Sequence, residues 1–383
     1  MTRPSSLVAA RWATVATFVA NGFGFGSWAT ALPALKAHLA ISAGELSIAL
    51  LAMSIGGVIA MQPASRLIQK IGGTGRSTTR LGFGFAIALA LPLLAPNLIT
   101  LVIACAAVGA TICLMDVAMN AHATKVEADW GTPIMSSFHA GFSLGGLIGT
   151  GFGALMLMLH LPTPLLLVPV AVIVLVTLIV TAPYLGAGDT EPHEAGPIFR
   201  LPEKSIVFLA VLLTLCFMSE GAMADWSGIY LNSLGEAPAR AAAGYAAFSA
   251  TMVLGRLSGD WVVHRFGRPM VIGAGCAIAA FGLILATALP FFYAIVIGFA
   301  LVGIGLSNVV PCVFSTAAAR ASSPAAGIAE VSTAGFGGFL SGPPLIGAVA
   351  AHFGMRAGIG VIAAAATLAA LVSLGLRTRK NQR

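Results

Sequence analysis

The feature of this chain that most constrains its fold is a basic, glycine-containing turn that occurs at the same point of each half. The stretch Gly255–Arg268 reads GRLSGDWVVHRFGR and lies between two long apolar runs. An eroded copy, ASRLIQKIGG, occupies residues 64–73, so that Gly72 corresponds to Gly267, 195 residues later. The tripeptide AGF likewise occurs at 140–142 and again at 334–336, 194 residues later. An apolar chain that repeats itself at half its length indicates two similar helical bundles, an organisation found in many secondary transporters.

The composition places most of the protein surface in a lipid bilayer. Apolar residues make up 58% of the chain and charged residues 9%, whereas a soluble domain carries about 25% charged residues. A helix that spans a bilayer needs ~20 mostly apolar residues. The sequence therefore predicts an all-α integral membrane protein with twelve spans in two pseudosymmetric six-helix bundles. The predicted spans are 12–35, 44–64, 80–96, 98–122, 133–159, 162–184, 206–231, 241–262, 269–289, 291–317, 327–351 and 357–376.

The distribution of Lys and Arg sets the predicted orientation. If the N-terminus is cytoplasmic, 17 of the 20 basic residues fall in inner segments, and only Lys36, Arg240 and Arg356 fall outside. Positive charge marks the cytoplasmic side of membrane proteins, so we expect a multi-pass protein of the plasma (inner) membrane with both termini cytoplasmic. The net charge of +7 follows from this topology. It does not indicate a nucleic-acid partner, because the cations are spread over seven loops.

A polar segment rich in Gly and Pro separates the two predicted bundles. We interpret residues 185–204 as a cytoplasmic linker, with an N-terminal bundle at 1–184 and a C-terminal bundle at 205–383. The five cysteines all lie within predicted spans and show no spacing typical of a disulfide framework or a metal site. The sequence therefore predicts free thiols, no cofactor and no metal.

Twelve spans, a central linker and the Gly-Asp…Arg-x-Gly-Arg turn after the eighth span resemble the major facilitator superfamily. The resemblance implies a transporter whose two bundles rock about a central site, with the turn acting as a cytoplasmic latch formed by Asp260, Arg265 and Arg268. Asp260 at the end of one helix can face the positive N-terminus of another. By pseudosymmetry we expect that partner to be the start of the fifth span, near Ser136 and Ser137. The alternative is that these residues only supply positive charge on the cytoplasmic side.

The fourth and fifth spans resemble the fucose-permease-like branch of that superfamily. The motif MDVAMN at 115–120 places an acid, Asp116, four residues before Asn120, and SSFHAGFSLGG follows at 136–146. NVVP at 308–311 and SGPP at 341–344 fit the same branch. The resemblance implies sugar-like solutes moved together with protons. The first span departs from this pattern because it contains no acid, and its main polar or amphipathic side chains are Asn21 and Trp28.

Polar residues inside the spans carry the remaining functional signal, because a charge at a helix centre costs ~2.5–3.5 kcal/mol on insertion scales and usually faces a cavity. Asp116 shares a helix face with Asn120, which can donate a hydrogen bond to its carboxylate. His139 is predicted at a similar depth in the fifth span and can pair with Asp116. We expect both to carry protons. The alternative is a buried hydrogen-bonded pair that holds spans four and five together.

Span seven contains two acids, Glu220 and Asp225, which we also predict to couple transport to protons. Five residues correspond to ~140° around an ideal helix, so the two carboxylates face one site only if the helix breaks. Gly221 and Gly228 make such a break plausible. Since Asp225 lies nearer the outer rim, where an acid costs less, a purely structural role is the alternative for it.

The predicted solute-binding residues come from both halves. Trp226 and Trp28 occupy corresponding places in spans seven and one, and they form either an aromatic wall for a sugar ring or anchors at the outer membrane interface. Asn308 in span ten lies opposite Asp116 in the repeat. The full predicted set is Asn21, Trp28, Asn120, Trp226 and Asn308.

Four functions are compatible with a chain of this composition and length, and the residues favour them unequally. The first is a proton-linked importer of a small polar solute, and the second is a proton-coupled efflux antiporter for drugs or metabolites. Exporters of the superfamily tend to carry an arginine four residues before a glycine in span four and a Gly-Pro pair in span five, whereas Cys105 precedes Gly109 and the fifth span lacks the proline. The third, an enzyme, has no motif to support it. A sensor with this fold, without transport activity, is a further alternative. We expect a monomer whose partners are the solute, protons and the lipid bilayer.

Overall fold

The computed structural model describes residues 5–61, 63–131, 134–186, 206–320 and 324–378, and the regular elements within these ranges are all helices. The chain divides into two compact units, one formed by Met1–Ile41 and Ala49–Gly196 and the other by Ser42–Ile48 and Pro197–Arg383. The division falls inside the predicted linker at 185–204, most of which lies outside the described residues. The assignment of Ser42–Ile48 to the second unit was not predicted. Below, the N-half and C-half are the helices before and after this linker.

The N-half contains seven α-helices in its described residues, and one of them, α3, is a short helix that follows the second span. They are α1 (Ser5–His38), α2 (Ala43–Met61), α3 (Ala64–Ile71), α4 (Thr74–Ala90), α5 (Leu98–Trp130), α6 (Met135–Met158) and α7 (Val168–Leu185).

The C-half contains nine α-helices in its described residues, because two of its spans are each divided in two and a four-residue helix precedes the eighth span. They are α8 (Val207–Ser233), α9 (Pro238–Ala241), α10 (Ala243–Leu257), α11 (Gly259–Phe266), α12 (Arg268–Ala288), α13 (Phe292–Leu306), α14 (Val309–Arg320), α15 (Pro324–Phe353) and α16 (Met355–Thr378).

The basic turn has the same backbone structure in both halves, a short helix that ends at a glycine. Helices α3 and α11 are offset by 195 residues at both ends, and each ends at a glycine with positive φ, 97° at Gly72 and 75° at Gly267. A residue with a side chain adopts such backbone angles at a cost, whereas glycine does so freely. The alignment of Gly72 with Gly267 is therefore confirmed in three dimensions.

Ten helical segments among the described residues are long and apolar enough to cross a membrane. They correspond to all the predicted spans except the first and the eighth. The first span, α1, carries Thr14, Thr17 and Asn21 near its middle, which lowers its hydropathy. The eighth is interrupted, because α10 ends at Leu257 after 15 residues. With these two included, the order of helices follows the twelve predicted spans.

Glycines bring the backbones of α1 and α6 into direct contact. A Cβ atom added at Gly22 or Gly26 would overlap the carbonyl groups of Phe142 and Gly146, and α6 presents Gly145 to α1 in the same way. Small residues at this spacing allow membrane helices to approach closely without a hydrophobic driving force. Hydrogen bonds from Ser27 Oγ to the Gly149 carbonyl (3.0 Å) and from Thr30 Oγ1 to the Thr150 carbonyl (3.4 Å) reinforce the pair.

Two spans of the C-half differ in continuity. Span ten breaks between Leu306 and Val309, because Pro311 lacks a backbone N–H and its ring clashes with the carbonyl of Ser307. By contrast, α8 is unbroken from Val207 to Ser233, so the break that Gly221 and Gly228 would allow is absent from it.

Candidate functional site

The N-half holds one acid within its fourth span, and that acid is paired with a neutral amide. Asn120 Nδ2 donates to Asp116 Oδ1 at 3.0 Å and to the Asp116 backbone carbonyl at 2.9 Å. The predicted i, i+4 contact is therefore present. The Asp116 side chain is exposed on the unit that carries it, so a proton or a solute can reach it. No positive charge neutralises it in the part of the chain that the structure describes.

His139 does not form the expected pair with Asp116. Its ring packs edge-on against Phe18 of α1, with 5.5 Å between ring centroids, and the side chain is exposed on α6. Among the described residues Asp116 makes no ion pair, and its hydrogen-bond partner is Asn120. A proton-carrying role for His139 therefore stays a prediction without the predicted contact.

The two tryptophans predicted to form an aromatic wall are buried in the structure. Trp28 is 1% exposed and Trp226 is 0% exposed, so neither indole offers surface to a solute. The same burial argues against interface anchoring, since an anchor would face lipid and water. Trp12 and Trp261, which are 62% and 66% exposed, are better placed for that role.

Three of the predicted solute-binding side chains have a buried donor for which the described residues offer no acceptor. Asn21 Nδ2, Trp28 Nε1 and Trp226 Nε1 are each buried without a hydrogen-bond partner in that part of the chain. Leaving a buried donor unpaired costs about 1–3 kcal/mol. The polar groups are therefore present at the predicted positions, but their side chains are packed inside their own bundles.

The C-half contains an ion pair within its spans. Arg256 Nη2 of α10 lies 3.6 Å from Glu220 Oε1 of α8, and the side chains are 23% and 25% exposed respectively. From the sequence, Arg256 is one of the 17 basic residues predicted to lie on the cytoplasmic side. The structure instead gives Glu220 a partner of opposite charge, and neither group lies on a fully exposed surface.

Asp225 and Tyr245 are two further ionisable residues on the helices that carry this ion pair. Tyr245 of α10 is 7% exposed. Asp225 of α8 is half-buried and makes no hydrogen bond or ion pair within the described residues. Proton coupling by Asp225 therefore stays a prediction.

Asn308 has a packing role in the C-half. Its Nδ2 donates to the carbonyl of Gly255 at 2.8 Å and to Ser307 Oγ at 3.1 Å. A Cβ atom at Gly259 would overlap Asn308 Oδ1, so the amide fits closely against the junction of α10 and α11. Asn308 thus ties the break in span ten to the break in span eight, and solute binding by it stays a prediction.

The comparison with known proteins identifies the family. The model of the Major Facilitator Superfamily matches residues 14–340. The chain belongs to this superfamily of transporters. Relatives align along nearly the whole chain: an uncharacterized MFS-type transporter of Yersinia pestis is 36% identical over 353 residues, 91% of each chain. Membrane protein MosC of Rhizobium meliloti is 31% identical over 363 residues, 93% of this chain and 88% of that protein.

Solved structures of the superfamily share the fold. A mutant of the nucleoside transporter NupG superposes with a TM-score of 0.78 at 11% identity, covering 96% of this chain and 99% of that one. A bacterial homologue of the human lysosomal transporter Spinster gives 0.76 at 13% identity, covering 100% and 99%. Identities this low show a common fold and carry no information about the solute. The superfamily resemblance predicted from the sequence is confirmed, whereas the fucose-permease-like branch stays a proposal.

The latch residues of this superfamily member are only partly described. The side chains of Asp260 and Ser136 lie outside the described residues, while Arg265 and Arg268 are exposed. Ser137 Oγ donates to the Ile134 carbonyl at 2.6 Å. The latch therefore remains a prediction.

Sequence reasoning missed Glu127, which caps the predicted latch partner from within the N-half. Its Oε2 accepts hydrogen bonds from the backbone N–H groups of Ile134 and Met135, both at 2.6 Å. Acids are favourable at a helix N-terminus. The available signal was an acid eight residues before the start of α6, separated from it by a turn at Gly131, where φ is 75°.

Sequence reasoning also missed His122 and Arg11. His122 is 2% exposed, its Nδ1 lies 3.3 Å from Thr74 Oγ1, and its Nε2 has no hydrogen-bond partner among the residues that the structure describes. The Arg11 guanidinium lies 4.5 Å from the Trp130 ring centroid, a cation–π contact. His122 follows Met115 and Ala118 on the buried face of α5, and this apolar spacing was the signal that it is buried.

The described residues show no metal-binding group and no disulfide. No set of three or more His, Cys, Asp or Glu side chains there is arranged to hold a metal ion. All five cysteines are free, and four of them are buried.

Proposed function

We propose that this transporter moves a small polar, sugar-like solute and couples the movement to protons by alternating access, as in the fucose-permease-like branch. The observation that carries the proposal is the Glu220–Arg256 pair within the spans of the C-half, 3.6 Å apart. A second acid, Asp116, lies in a span of the N-half and is paired only with an amide. Ionisable side chains within spans are costly to insert and mark ion or substrate pathways.

Proton coupling follows from how the two acids are partnered. Asp116 has no cation beside it within the described residues, so a proton is the simplest species to neutralise its charge before the site closes. Glu220 already has Arg256, and a proton on Glu220 would release the guanidinium. Each acid can therefore link its protonation to a change in local contacts, and such differential contacts are what drive a two-state transporter.

The proposed solute is polar because the candidate residues are donors and acceptors. Asn21, Asn120 and Asn308 carry amides, and Trp28 and Trp226 carry indole N–H groups that lack partners when buried. A site built to hydrogen-bond a polyhydroxy compound needs such groups. We place the protein in the plasma (inner) membrane with both termini cytoplasmic, in keeping with its charge distribution, and we propose that it acts as a monomer.

The test uses purified protein in liposomes loaded with a pH-sensitive dye. Sugars, sugar acids and lipophilic amines are added outside, and native protein is compared with Asp116→Asn. The expected result is a proton signal driven by a sugar-like solute that is lost in Asp116→Asn. Asp129→Asn is the matched control, because Asp129 lies on the same helix but is exposed and paired with Lys125 at 2.7 Å.

Two outcomes would contradict the proposal. Solute uptake without any proton movement would make the protein an uncoupled carrier. A proton signal driven by lipophilic amines but by no sugar would favour the efflux antiporter.

A further inference from the structure

Two arginines of the C-half, Arg240 and Arg356, lie on the side of the membrane that the predicted topology places outside, and they differ in their partners. Arg240 pairs with Glu236 at 3.1 Å and lies over the Phe292 ring, 4.1 Å from its centroid. Arg356 is exposed and makes no ion pair among the residues that the structure describes. The charge of Arg356 is therefore available to an anion that the chain does not supply there.

Two backbone carbonyls hold the Arg356 side chain in place. Its Nε donates to the Thr287 carbonyl at 2.6 Å and its Nη2 donates to the Ala288 carbonyl at 3.2 Å. These carbonyls end α12, and the last carbonyls of a helix have no partner within it. A guanidinium has five N–H donors, and Arg356 makes no further hydrogen bond within the described part of the chain. The group is thus oriented while its remaining donors can bind a ligand.

Arg356 lines a cavity of about 480 Å³ where the end of α12 meets the end of α15 and the start of α16. The hydroxyl of Thr287, which also lines the cavity, donates to the Leu283 carbonyl of its own helix at 2.9 Å. Helix α16 begins at Met355 and has no acid in its first turn, so the positive end of its dipole adds to the charge of Arg356. The cavity therefore favours an anion. Its lining residues are Ile284, Thr287, Ala288, Phe353, Arg356 and Ala357.

Large apolar side chains lead from this cavity along the surface of α12. Ile278, Phe281 and Ile284 are 38%, 60% and 46% exposed, and their spacing of three residues places them on one side of the helix. Phe353, which lines the cavity, is 77% exposed. An exposed apolar surface of this kind marks contact with a membrane. A ligand that fits both features has an anionic group beside Arg356 and hydrocarbon chains along α12.

We propose that this cavity binds an anionic glycerophospholipid, with Arg356 donating to its phosphate and the apolar side of α12 contacting its acyl chains. A guanidinium matches the geometry of a phosphate and binds it through parallel hydrogen bonds, and basic pockets between membrane helices bind lipid headgroups. The site goes beyond the proposed transport of a solute, because it lies on the lipid-facing surface and uses none of the candidate solute-binding residues. A lipid bound there would hold the end of α12 against the start of α16.

The test is native mass spectrometry of purified, delipidated protein in detergent. Phosphatidylglycerol, phosphatidylcholine and diacylglycerol with identical acyl chains are added one at a time. Phosphatidylglycerol is expected to bind about tenfold tighter than the other two, as expected of a hydrogen bond between charged groups. Arg356→Gln is expected to remove most of this preference. Arg356→Lys is expected to retain part of it, because the charge remains but the planar fork is lost.

Two further variants separate binding from folding. Arg240→Gln is the matched control, since it removes the other outer arginine, which already has Glu236 as its partner, and it is expected to leave the preference unchanged. Ala357→Glu places an acid in the cavity while Arg356 keeps its two carbonyl bonds. An acid is favourable in the first turn of a helix, so this variant is expected to fold and to lose the preference. Thermal unfolding without added lipid establishes that each variant is folded.

Equal binding of phosphatidylglycerol and diacylglycerol to the native protein would overturn the inference. A preference that persists in both Arg356→Gln and Ala357→Glu has the same consequence. Loss of bound phosphatidylglycerol in the presence of equimolar inorganic phosphate would mark the cavity as a site for a soluble anion, and it would also overturn the assignment to lipid. None of these outcomes bears on the proposed transport, which is measured separately as proton flux in liposomes.

Discussion

The two halves of the chain repeat the same plan but surround their acids differently. In the N-half, Asp116 lies on the continuous helix α5 and bonds the amide of Asn120. In the C-half, Glu220 lies on α8 and pairs with a guanidinium, and the counterpart of α5 is divided into α13 and α14. The repeat therefore preserves the backbone plan while the polar groups diverge.

This difference indicates how each half responds when its acid is protonated. A carboxylate bonded to an amide keeps that partner whether or not it is ionised, because the amide offers both a donor and an acceptor. A carboxylate paired with arginine loses its ionic attraction when it is protonated, and the arginine is left charged. We expect the C-half to respond structurally to protonation and the N-half to respond mainly in charge.

The largest expected effect tests the backbone plan that the halves share. Gly26 and Gly221 are equivalent positions, 195 residues apart. A Cβ atom at Gly26 would overlap the backbone carbonyl of Gly146, whereas a Cβ atom at Gly221 would meet the side-chain ring of Phe339. Because a ring can move aside more easily than a backbone, Gly26→Ala is expected to lower the free energy of unfolding by about 3 kcal/mol and Gly221→Ala by about 1 kcal/mol. Denaturant unfolding in detergent measures both. Equal losses would show that the two interfaces are equally adaptable.

The next effect concerns the ion pair. Arg256→Gln leaves Glu220 without its cation, and breaking a fully buried pair costs about 3–5 kcal/mol. Because both side chains are about a quarter exposed, we expect a smaller loss, about 2 kcal/mol. The double variant Glu220→Gln, Arg256→Gln is expected to recover at least half of that loss, since no unpaired charge remains. A double-mutant cycle on thermal unfolding supplies the coupling energy, and strictly additive losses would mean that the pair does not interact.

Much of the fold could be predicted from the sequence, because apolar length and basic-residue asymmetry are properties of single segments. The twelve spans and the equivalence of Gly72 and Gly267 are of this kind. The Glu220–Arg256 ion pair was not predicted, because positive charge on the cytoplasmic side already accounts for an arginine in this basic turn. The sequence also does not show which neighbouring helix a long side chain contacts.

The candidate site was predicted well only where its partners are near in sequence. The contact between Asp116 and Asn120 depends on helix periodicity, and it is present. The contact between Asp116 and His139 depends on the relative rotation of two helices about their own axes, which the sequence of either helix does not reveal, and it is absent. The sequence also left the continuity of α8 open, since glycine permits a break without requiring one.

A smaller effect distinguishes the broken spans of the C-half from the continuous α5. Asn308→Ala removes the bond from Nδ2 to the Gly255 carbonyl and leaves that carbonyl unpaired. The expected loss is about 1–2 kcal/mol, with transport reduced because the breaks in spans eight and ten are no longer tied together. Thermal unfolding and liposome flux measure the two quantities. If flux fell without any loss of stability, Asn308 would instead contact the solute, as its sequence position suggested.

The smallest expected effect concerns Asn120, the hydrogen-bond partner of Asp116 in the N-half. Asn120→Ala removes a neutral hydrogen bond to a side chain that is exposed on its unit, so water can replace the donor and the expected loss is about 0.5–1 kcal/mol. Asn120→Asp instead places a second carboxylate one turn from Asp116, and like charges at this spacing repel. We expect this variant to alter the pH dependence of proton flux far more than Asn120→Ala does. If both variants had the same pH profile, Asn120 would act only through packing, and Asp116 would function without its help.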